Sequence, residues 1–294
     1  MSGRVSVCVD WGSTNFRAWR FEGVRAVESR QSPDGGIRDM AQGDFEPALF
    51  DRLGDWIVGA DRVLLAGMIT SRNGWVESPY LECPAAVEGL LGRAERRAVR
   101  GVECVFLPGL CQRTPAPDVM RGEELLILGS MGGGAEETIV LPGTHSKWAR
   151  VTDGVVRGFG TWMTGELYDL VLRRSLAGRL AQEGPPDDAA FAAGLAAAKA
   201  GRPLGALFAA RSGVLLGATP ATGVADYLSG VLIGAEISEA CAGGFGGSAL
   251  TLVGAPALVE RYRMALARFG EGPTRIVDAA AERGFAAVLA SDEK

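Results

Sequence analysis

The sequence lacks the features that mark membrane, secreted and nucleic-acid-binding proteins. No apolar run approaches the ~18 residues of a membrane-spanning helix, and the acidic residue Asp10 stands where a signal peptide would have its apolar core. The 30 Lys and Arg and the 35 Asp and Glu are spread along the chain, without the basic stripe of a nucleic-acid groove. These absences predict a cytoplasmic protein with no nucleic-acid partner and no membrane partner.

Cysteine is scarce as well. The five cysteines are odd in number and widely spaced, and no two of them form a C-x-x-C pair. This pattern argues against both a disulfide framework and a zinc site. We therefore expect small core residues at all five positions, which are Cys8, Cys83, Cys104, Cys111 and Cys241.

Apolar residues and glycine, by contrast, are plentiful. With 294 residues and 47% hydrophobic side chains, the chain can form one large or two medium globular domains. Glycine occupies 42 positions, about twice its usual share of ~7%. This abundance indicates many tight turns or close approaches of the backbone to a ligand.

The first ordered segment is predicted to be a strand, a polar turn and a second strand. A Val-rich run ends at Asp10, the turn is Gly12-Ser13-Thr14-Asn15, and an alternating run follows. Such a turn can offer backbone N–H groups and two hydroxyls to a phosphate, while Asp10 can hold Mg²⁺. An ordinary hairpin with a polar tip explains the same residues, so this segment alone leaves both interpretations open.

A second turn of the same kind lies in the middle of the chain. Gly143, Thr144 and Ser146 follow an apolar strand and resemble a phosphate cradle, to which Lys147 would add a positive charge. The turn contains His145, the only histidine of the chain. A lone histidine is often structural, but its place between two hydroxyl residues favours contact with phosphate.

Two parts of the chain repeat one order of predicted elements. Residues 1–132 begin with three strands, continue with a helix, a strand, a helix over 85–99 and a strand, and end on a connecting helix over 121–131. Residues 133–294 also begin with three strands, and extra helices follow their first helix. A Rossmann sheet alternates strand and helix from the start. We therefore predict an α/β fold of two ribonuclease-H-like (actin-like ATPase) lobes facing a central cleft.

The connecting helix begins with Arg121-Gly122-Glu123-Glu124. Acidic residues in a first helical turn are favoured by the helix dipole alone, but a carboxylate near a cleft could also deprotonate a substrate hydroxyl. In the polar loop 67–80, Arg72 is either solvent-exposed or paired with a substrate carboxylate. Gly254, which follows a predicted strand, would let an adenine ring approach the backbone.

Taken together, these segments resemble the 2-dehydro-3-deoxygalactonokinase family. The resemblance implies an ATP- and Mg²⁺-dependent kinase of the sugar kinase, heat-shock ATPase and actin superfamily. Its substrate would be 2-dehydro-3-deoxy-D-galactonate, phosphorylated on the 6-hydroxyl in galactonate catabolism. One departure is that Leu125 and Leu126 follow the glutamate pair where the family has Thr and Gln. The matching segments cover residues 10–21, 67–84, 118–124, 141–148, 161–167 and 254–262.

The resemblance also implies roles for single residues. Glu123 would be the general base with Glu124 in reserve, and Asp10 would be a catalytic residue that holds Mg²⁺. ATP would be bound by Gly12, Ser13, Thr14, Asn15, Gly143, Thr144, His145, Ser146, Lys147, Gly254 and Pro256. The sugar acid would be bound by Arg17, Gly35, Gly36, Met68, Arg72, Asn73, Glu77 and Trp162. Arg17 or Arg72 would face its carboxylate.

Three functions remain in competition at this point. The chain could be the sugar-acid kinase, an ATPase or phosphohydrolase on the same fold, or a non-catalytic sugar sensor. A related keto-deoxy sugar acid such as 2-dehydro-3-deoxygluconate is the alternative substrate. The two acids differ in the configuration of one hydroxyl, which a protein recognises by one or two hydrogen bonds that the sequence does not locate. The sequence does not reveal the oligomeric state and leaves a homodimer open.

Overall fold

The described residues of the first part of the chain form two sheets and three α-helices. The structure, a computed structural model, describes residues 4–272 and 274–292. The strands of this part are β1 (Val5–Trp11), β2 (Phe16–Glu22), β3 (Arg25–Ser32), β4 (Arg62–Ala66), β5 (Leu81–Glu82), β6 (Glu95–Val99), β7 (Val102–Phe106), β8 (Leu110–Gln112) and β9 (Asp118–Met120). The helices are α1 (Phe45–Leu53), α2 (Val87–Gly92) and α3 (Glu123–Leu128).

The second part contains one sheet and most of the helical residues. Its strands are β10 (Glu136–Leu141), β11 (Ser146–Thr152), β12 (Val155–Trp162), β13 (Ala249–Leu252) and β14 (Thr274–Ile276). Its helices are α4 (Thr164–Arg174), α5 (Asp188–Lys199), α6 (Pro203–Leu215), α7 (Val224–Ala242), α8 (Pro256–Phe269) and α9 (Ala280–Asp292).

The two large sheets share one strand order. The first is ordered β3-β2-β1-β4-β7-β6 and the second β12-β11-β10-β13-β14. In the first sheet β1 pairs antiparallel with β2 and parallel with β4. Three strands joined in sequence, followed by a crossover to the other side of the first strand, are the arrangement of a ribonuclease-H-like lobe. The predicted α/β class with ribonuclease-H-like lobes is therefore confirmed for both sheets.

Burial explains why the central strands form. In β1 the Val7, Cys8 and Val9 side chains are fully buried, and β4 is buried along its whole length. A strand covered on both faces has a continuous apolar sequence. The aromatic rings of Trp11 and Phe16 pack edge to face at 5.1 Å beneath the following turn. The apolar core therefore extends to the strand ends and fixes the turn.

The helix predicted over 85–99 is wrong in its second half. The structure has the short helix α2 and then β6, which pairs antiparallel with β7. Residues 95–98 are the exposed sequence Glu-Arg-Arg-Ala, whose helix propensity is high. Pairing with β7 overrides that propensity, and the connecting turn has positive φ angles at Arg100 (49°) and Gly101 (84°).

Two other differences follow from short elements. The small sheet β5-β8-β9 was not predicted, because strands of two or three residues show no alternation long enough to detect. The helix predicted over 121–131 is only the six residues of α3, which ends at its C-cap Gly129.

The chain divides into two compact units, and the division differs from the predicted boundary between residues 132 and 133. The first unit comprises the residues up to 135, residues 151–159 and those from 279 on, while the second comprises 136–150 and 160–278. The last helix, α9, thus belongs with the first unit, where Phe285 packs against Trp19 with ring centroids 5.9 Å apart.

The cysteines are free thiols, as expected, but only two of them lie in the core. Cys8 and Cys104 are buried, whereas Cys83, Cys111 and Cys241 are half-buried. In the ranges that the structure describes, the helices are too short or too polar to cross a membrane.

Candidate active site

The turn between β1 and β2 is held by the loop after β3. Three backbone N–H groups of that loop donate to carbonyl groups of the turn. Gly36 N donates to Thr14 O (2.7 Å), Ile37 N to Gly12 O (3.1 Å) and Arg38 N to Ser13 O (3.0 Å). A side chain at Gly36 would bring Cβ within 2.2 Å of Ser13 O, so only glycine permits this approach. Thr14 and Asn15 are exposed, and in residues 4–272 the N–H groups of Ser13 and Thr14 donate to no backbone acceptor. The N–H groups of Ser13 and Thr14 are therefore candidate donors to an anion, which such a site requires.

Asp10 lies at the carboxyl end of β1, immediately before this turn. Its carboxylate is paired with the guanidinium of Arg17 on β2, directly opposite in the antiparallel ladder. Burial raises the pKa of Asp10, and the neighbouring Arg17 opposes that rise. Arg17, predicted to bind the sugar acid, is thus the counter-ion of Asp10 in this structure.

The loop after β4 brings two further segments to the same place. Gly67 has a φ of +90°, and a Cβ there would lie 3.1 Å from Asp10 Oδ1. A Cβ on Gly122, the N-cap of α3, would lie 3.2 Å from Gly67 Cα. Asp10, Gly67 and the start of α3 therefore meet at the carboxyl ends of β1 and β4, where ligands bind in open α/β sheets.

The two glutamates that begin α3 have different surroundings. Glu123 is half-buried, and its Oε2 accepts from Arg121 N at 2.9 Å. Glu124 is 1% exposed, and its Oε2 accepts from Gly122 N at 2.7 Å. Its Oε1 has no hydrogen-bond partner among the described residues. Adjacent residues of one helix thus have carboxyl groups in unlike environments.

The carboxyl group of Glu124 lies against apolar side chains. It lines a cavity of about 10 Å³ together with Ala85, Leu90, Leu110 and Val156. Burial there, together with the charge of Glu123, raises the pKa of Glu124 to about 8. Glu124 is therefore mostly protonated near neutral pH, which makes it a poor general base.

The raised pKa of Glu124 makes the folding stability of the chain depend on pH. Its pKa is about 8 in the folded chain against an ordinary value of 4.5, so between these values the folded state holds the extra proton. Its contribution to stability is full below pH 4.5 and is lost as the pH rises through about 8. One pKa unit corresponds to ~1.4 kcal/mol. The wild type should therefore lose a few kcal/mol of its free energy of unfolding over this pH range, and Glu124→Gln should not show this loss.

Thermal unfolding at about pH 5 and about pH 9 measures this effect. The wild type should lose more stability between the two conditions than Glu124→Gln does. Glu88→Gln, which removes an exposed carboxylate on α2, is the control and should behave like the wild type. Equal slopes for wild type and Glu124→Gln would contradict the assignment of a buried, protonated Glu124.

The second glycine turn, between β10 and β11, is held by the start of α4. Glu166 N donates to Thr144 O at 3.0 Å, and His145 Nε2 lies 2.5 Å from Glu166 Oε2. Thr144 and His145 are exposed, while Gly143 is half-buried. This turn therefore also presents backbone at the carboxyl end of a central strand, with the His145 ring anchored to α4.

Two of the residues predicted to bind phosphate lie beneath this turn. The Ser146 side chain is fully buried, and Lys147 is 4% exposed, with Nζ donating to His145 O at 3.4 Å. Both side chains thus support the turn from below in this structure, and the exposed part of the turn is Thr144 and His145.

A buried polar network underlies the turn. Ser146 Oγ lies 3.0 Å from Tyr262 OH, which donates to Glu236 Oε2 at 2.6 Å. Trp148 Nε1 donates to the other carboxylate oxygen, Glu236 Oε1, at 2.7 Å. Burial raises the pKa of Glu236 and, together with that carboxylate, raises the pKa of Tyr262 well above its usual range. Buried polar groups that satisfy one another make such a network rigid.

A mostly apolar cavity of about 280 Å³ opens beside the turn. It lies between the turn, α4, α7 and α8 and is lined by Gly143, Thr164, Gly165, Tyr168, Ser229, Leu232, Ile233, Ala257, Leu258, Arg261 and Tyr262. Gly254 is exposed between β13 and α8, and a Cβ there would lie 3.3 Å from Pro142 O. Pro256 is the first residue of α8, and Ala257 and Leu258 follow it in the cavity wall.

The other residues predicted to bind the sugar acid do not gather at one point. Arg72 is 85% exposed and lies 3.9 Å from Glu77, and Asn73 is exposed beside it. Met68 packs against the core of the first unit. Trp162 packs against Phe245 at 5.8 Å in the second unit. Gly35, whose carbonyl accepts from Trp11 Nε1 at 2.8 Å, is buried with the turn after β1.

A metal site at Asp10 would have a single protein carboxylate. In the described part of the chain no cluster of three or more His, Cys, Asp or Glu could hold a metal ion. Mg²⁺ usually keeps several waters and is bound through one or two carboxylates and the substrate's phosphates. A single half-buried carboxylate beside a candidate phosphate-binding turn fits that donor set.

Comparison with known proteins identifies the family. Residues 10–288 match the profile of the 2-keto-3-deoxy-galactonokinase family. The chain belongs to this family. A crystal structure from Sinorhizobium meliloti, assigned as a 2-dehydro-3-deoxygalactonokinase, has a TM-score of 0.87 at 35% identity and covers 98% of both chains.

Two curated relatives of the family match part of the chain. One is a Rhizobium meliloti protein assigned as a 2-dehydro-3-deoxygalactonokinase, 38% identical over 193 residues, and the other is the 2-dehydro-3-deoxygalactonokinase of Escherichia coli K12, 38% identical over 192 residues. Each match covers 64% of this chain. The matches span 62% and 64% of the relatives' own lengths.

Several residues of the site were missed by sequence reasoning. Glu236 and Tyr262 are distant in sequence from the turn that they support. Only one signal marks them, which is the carboxylate of Glu236 in the otherwise apolar stretch 231–237 of α7. Arg121 was seen only as part of a helix start. Its partners Thr70 and Ser78 belong to the loop after β4, which is distant from Arg121 in sequence.

Proposed function

We propose that this chain is a cytoplasmic ATP- and Mg²⁺-dependent kinase that transfers a phosphoryl group to the 6-hydroxyl of 2-dehydro-3-deoxy-D-galactonate in galactonate catabolism. The names of the curated relatives support this substrate. The observation that carries the proposal is the meeting of Asp10, Gly67 and the start of α3 at the carboxyl ends of β1 and β4. The proposed metal ligand Asp10 and the helix that begins with the candidate base Glu123 would then belong to one region of the first unit.

The general base in this proposal is Glu123. Its carboxylate is held by the backbone of Arg121 at 2.9 Å, whereas that of Glu124 faces an apolar cavity. Glu123 would accept the proton of the 6-hydroxyl as its oxygen attacks the γ-phosphorus of ATP, and ADP would leave from the opposite side. Positioning and charge neutralisation supply most of the acceleration in such transfers.

The nucleotide would use the glycine turn at Gly143 and the apolar cavity beside it, both in the second unit. Backbone N–H groups of a glycine turn suit phosphate oxygens. The turn after β1, in the first unit, is proposed separately as a phosphate-binding turn, because in residues 4–272 the N–H groups of Ser13 and Thr14 donate to no backbone acceptor. A cavity lined by Ala257 and Leu258 suits the flat face of a base. Bound Mg²⁺ would neutralise charge developing on the transferred phosphoryl group, and Asp10 is the residue that would hold it.

A coupled ADP-release assay tests the proposed function. Every reaction contains purified protein, ATP and Mg²⁺. The sugar acid is 2-dehydro-3-deoxygalactonate in one reaction and its C4 epimer 2-dehydro-3-deoxygluconate in a second, and a third reaction has none. We expect ADP release that depends on the galactonate-derived acid, with the product identified as the 6-phosphate by ³¹P NMR. Release without any acid would indicate a phosphohydrolase, and no release with either acid would indicate a sensor.

A second copy of the chain is the protein partner that we propose, at the exposed face of α6. Leu204 (83% exposed), Phe208 (59%) and Leu215 (63%) lie at intervals of four and seven residues, which puts them on one face. The only charge in α6 is that of Arg211, whose Nη1 donates to Leu176 O at 3.3 Å. An apolar helix face of this extent marks an interaction site, and a homodimer pairs it with an equally apolar face.

Light scattering after size exclusion checks this homodimer. The wild type should have twice the mass of the chain, and Phe208→Glu should be monomeric. Val58→Glu changes an equally exposed apolar residue outside α6 (84% exposed) and should remain dimeric. A monomeric wild type would exclude the proposed partner.

A further inference from the structure

Arg121 is held rigidly at the start of α3 by neutral groups. Its Nη1 donates to Thr70 Oγ1 at 2.8 Å and its Nη2 to Ser78 O at 2.8 Å. The guanidinium also lies over the Tyr80 ring, 4.3 Å from the centroid. These contacts fix the orientation of the group without neutralising its charge.

No carboxylate of the described residues forms an ion pair with Arg121. Its Nε is buried and has no hydrogen-bond partner there. A guanidinium has five N–H groups, and two of them are used by Thr70 and Ser78. A half-buried cation that keeps unused donors favours an anion that is not part of the chain.

The two arginines expected to face the sugar acid's carboxylate are already near acidic residues. Arg17 is paired with Asp10. Arg72 is 85% exposed and lies 3.9 Å from Glu77. Arg121 differs from both, because its guanidinium is positioned by neutral hydrogen-bond partners, with the carboxylates of Glu123 and Glu124 nearby but forming no ion pair with it.

Arg121 also lies beside the proposed chemistry. Thr70, to which it donates, ends the short 3₁₀ helix that follows Gly67. Gly122, the next residue in the chain, approaches Gly67, and Gly67 approaches Asp10. The guanidinium therefore contacts the loop that begins at Gly67, the residue that approaches Asp10.

We propose that Arg121 determines specificity by binding the carboxylate of the sugar acid. This inference rests on the proposed function, because it assigns one residue to the substrate of that reaction. A planar guanidinium held by its neighbours can accept a carboxylate through two parallel N–H···O bonds, which a neutral sugar cannot reproduce. Arg121 thereby selects acids and takes no part in proton transfer.

Binding of two ligands to wild type and variants tests this role. The ligands are the sugar acid and its neutral carboxamide, measured by calorimetry with a non-hydrolysable ATP analogue present. The wild type should prefer the acid. Arg121→Gln should weaken binding of the acid by about 10- to 100-fold, with little change for the carboxamide, and Arg121→Lys should recover part of the preference. Arg113→Gln, at an exposed arginine paired with Glu82, should match the wild type.

Other outcomes overturn the proposal. If Arg121→Gln weakens binding of the acid and of the carboxamide equally, Arg121 only holds the loop against the start of α3. If Arg17→Gln or Arg72→Gln abolishes the preference while Arg121→Gln keeps it, another arginine reads the carboxylate. A wild type without preference for the acid also refutes it. Failure of the proposed function is seen separately, as a wild type that releases no ADP in response to the sugar acid.

Discussion

Glu123→Gln is expected to lower kcat by about two to four orders of magnitude, while ATP binding stays close to that of the wild type. The amide keeps the size and hydrogen-bonding shape of the side chain but cannot accept a proton. The loss should therefore appear in the chemical step. Single-turnover phosphorylation of the sugar acid and ATP binding by calorimetry measure the two quantities.

Two further variants make this result specific. Glu88→Gln, at an exposed site on α2, should turn over like the wild type. Glu124→Gln should retain most of its activity, because its carboxyl group is buried against apolar side chains. Near-normal turnover of Glu123→Gln would remove Glu123 from the role, and a large loss confined to Glu124→Gln would transfer the role to that residue.

Asp10→Asn is expected to lower kcat/KM by about a thousandfold, because a lost metal contact costs several kcal/mol in the transition state. The amide is a poor ligand for Mg²⁺, and it leaves Arg17 without its counter-ion. The concentration of Mg²⁺ that gives half-maximal rate should rise as well. Rates measured over a series of Mg²⁺ concentrations check both effects.

The loss of the Asp10–Arg17 pair must be separated from the loss of the metal ligand. Arg17→Gln breaks the same pair and keeps the carboxylate, so its demand for Mg²⁺ should stay near that of the wild type. Asp51→Asn, at an exposed residue on α1, controls for a general change of charge. If Asp10→Asn keeps its rate and its demand for Mg²⁺, Asp10 is not the metal ligand.

The sequence was informative where local chemistry and long-range structure agree. The turns at Gly12 and at Gly143 each follow a buried strand, and a strand's carboxyl end is the usual ligand-binding edge, so both were predicted. The edge strand β6 was not, because its Glu and Arg residues favour a helix when considered alone. The tertiary pairing with β7 decided its conformation.

Contacts between distant segments could not be predicted from the sequence. The pairing of Asp10 with Arg17 depends on their register in the hairpin, and the different environments of Glu123 and Glu124 depend on which side chain faces the apolar cavity. The neutral hydrogen-bond partners of the Arg121 guanidinium are likewise a property of the folded chain. Sequence reasoning therefore identified the glutamate pair but could not distinguish its members by burial.

The membership of α9 in the first unit has a consequence for how the protein is made. On the ribosome, the first unit cannot complete its apolar core until α9 has been synthesised, after the whole second unit. Domains otherwise tend to fold in order from the N-terminus. Part of the sheet around β1 therefore stays exposed until α9 is synthesised, including the Trp19 ring, against which Phe285 packs in the folded protein. Chaperones that shield apolar surface would have their longest access to that part of the nascent chain.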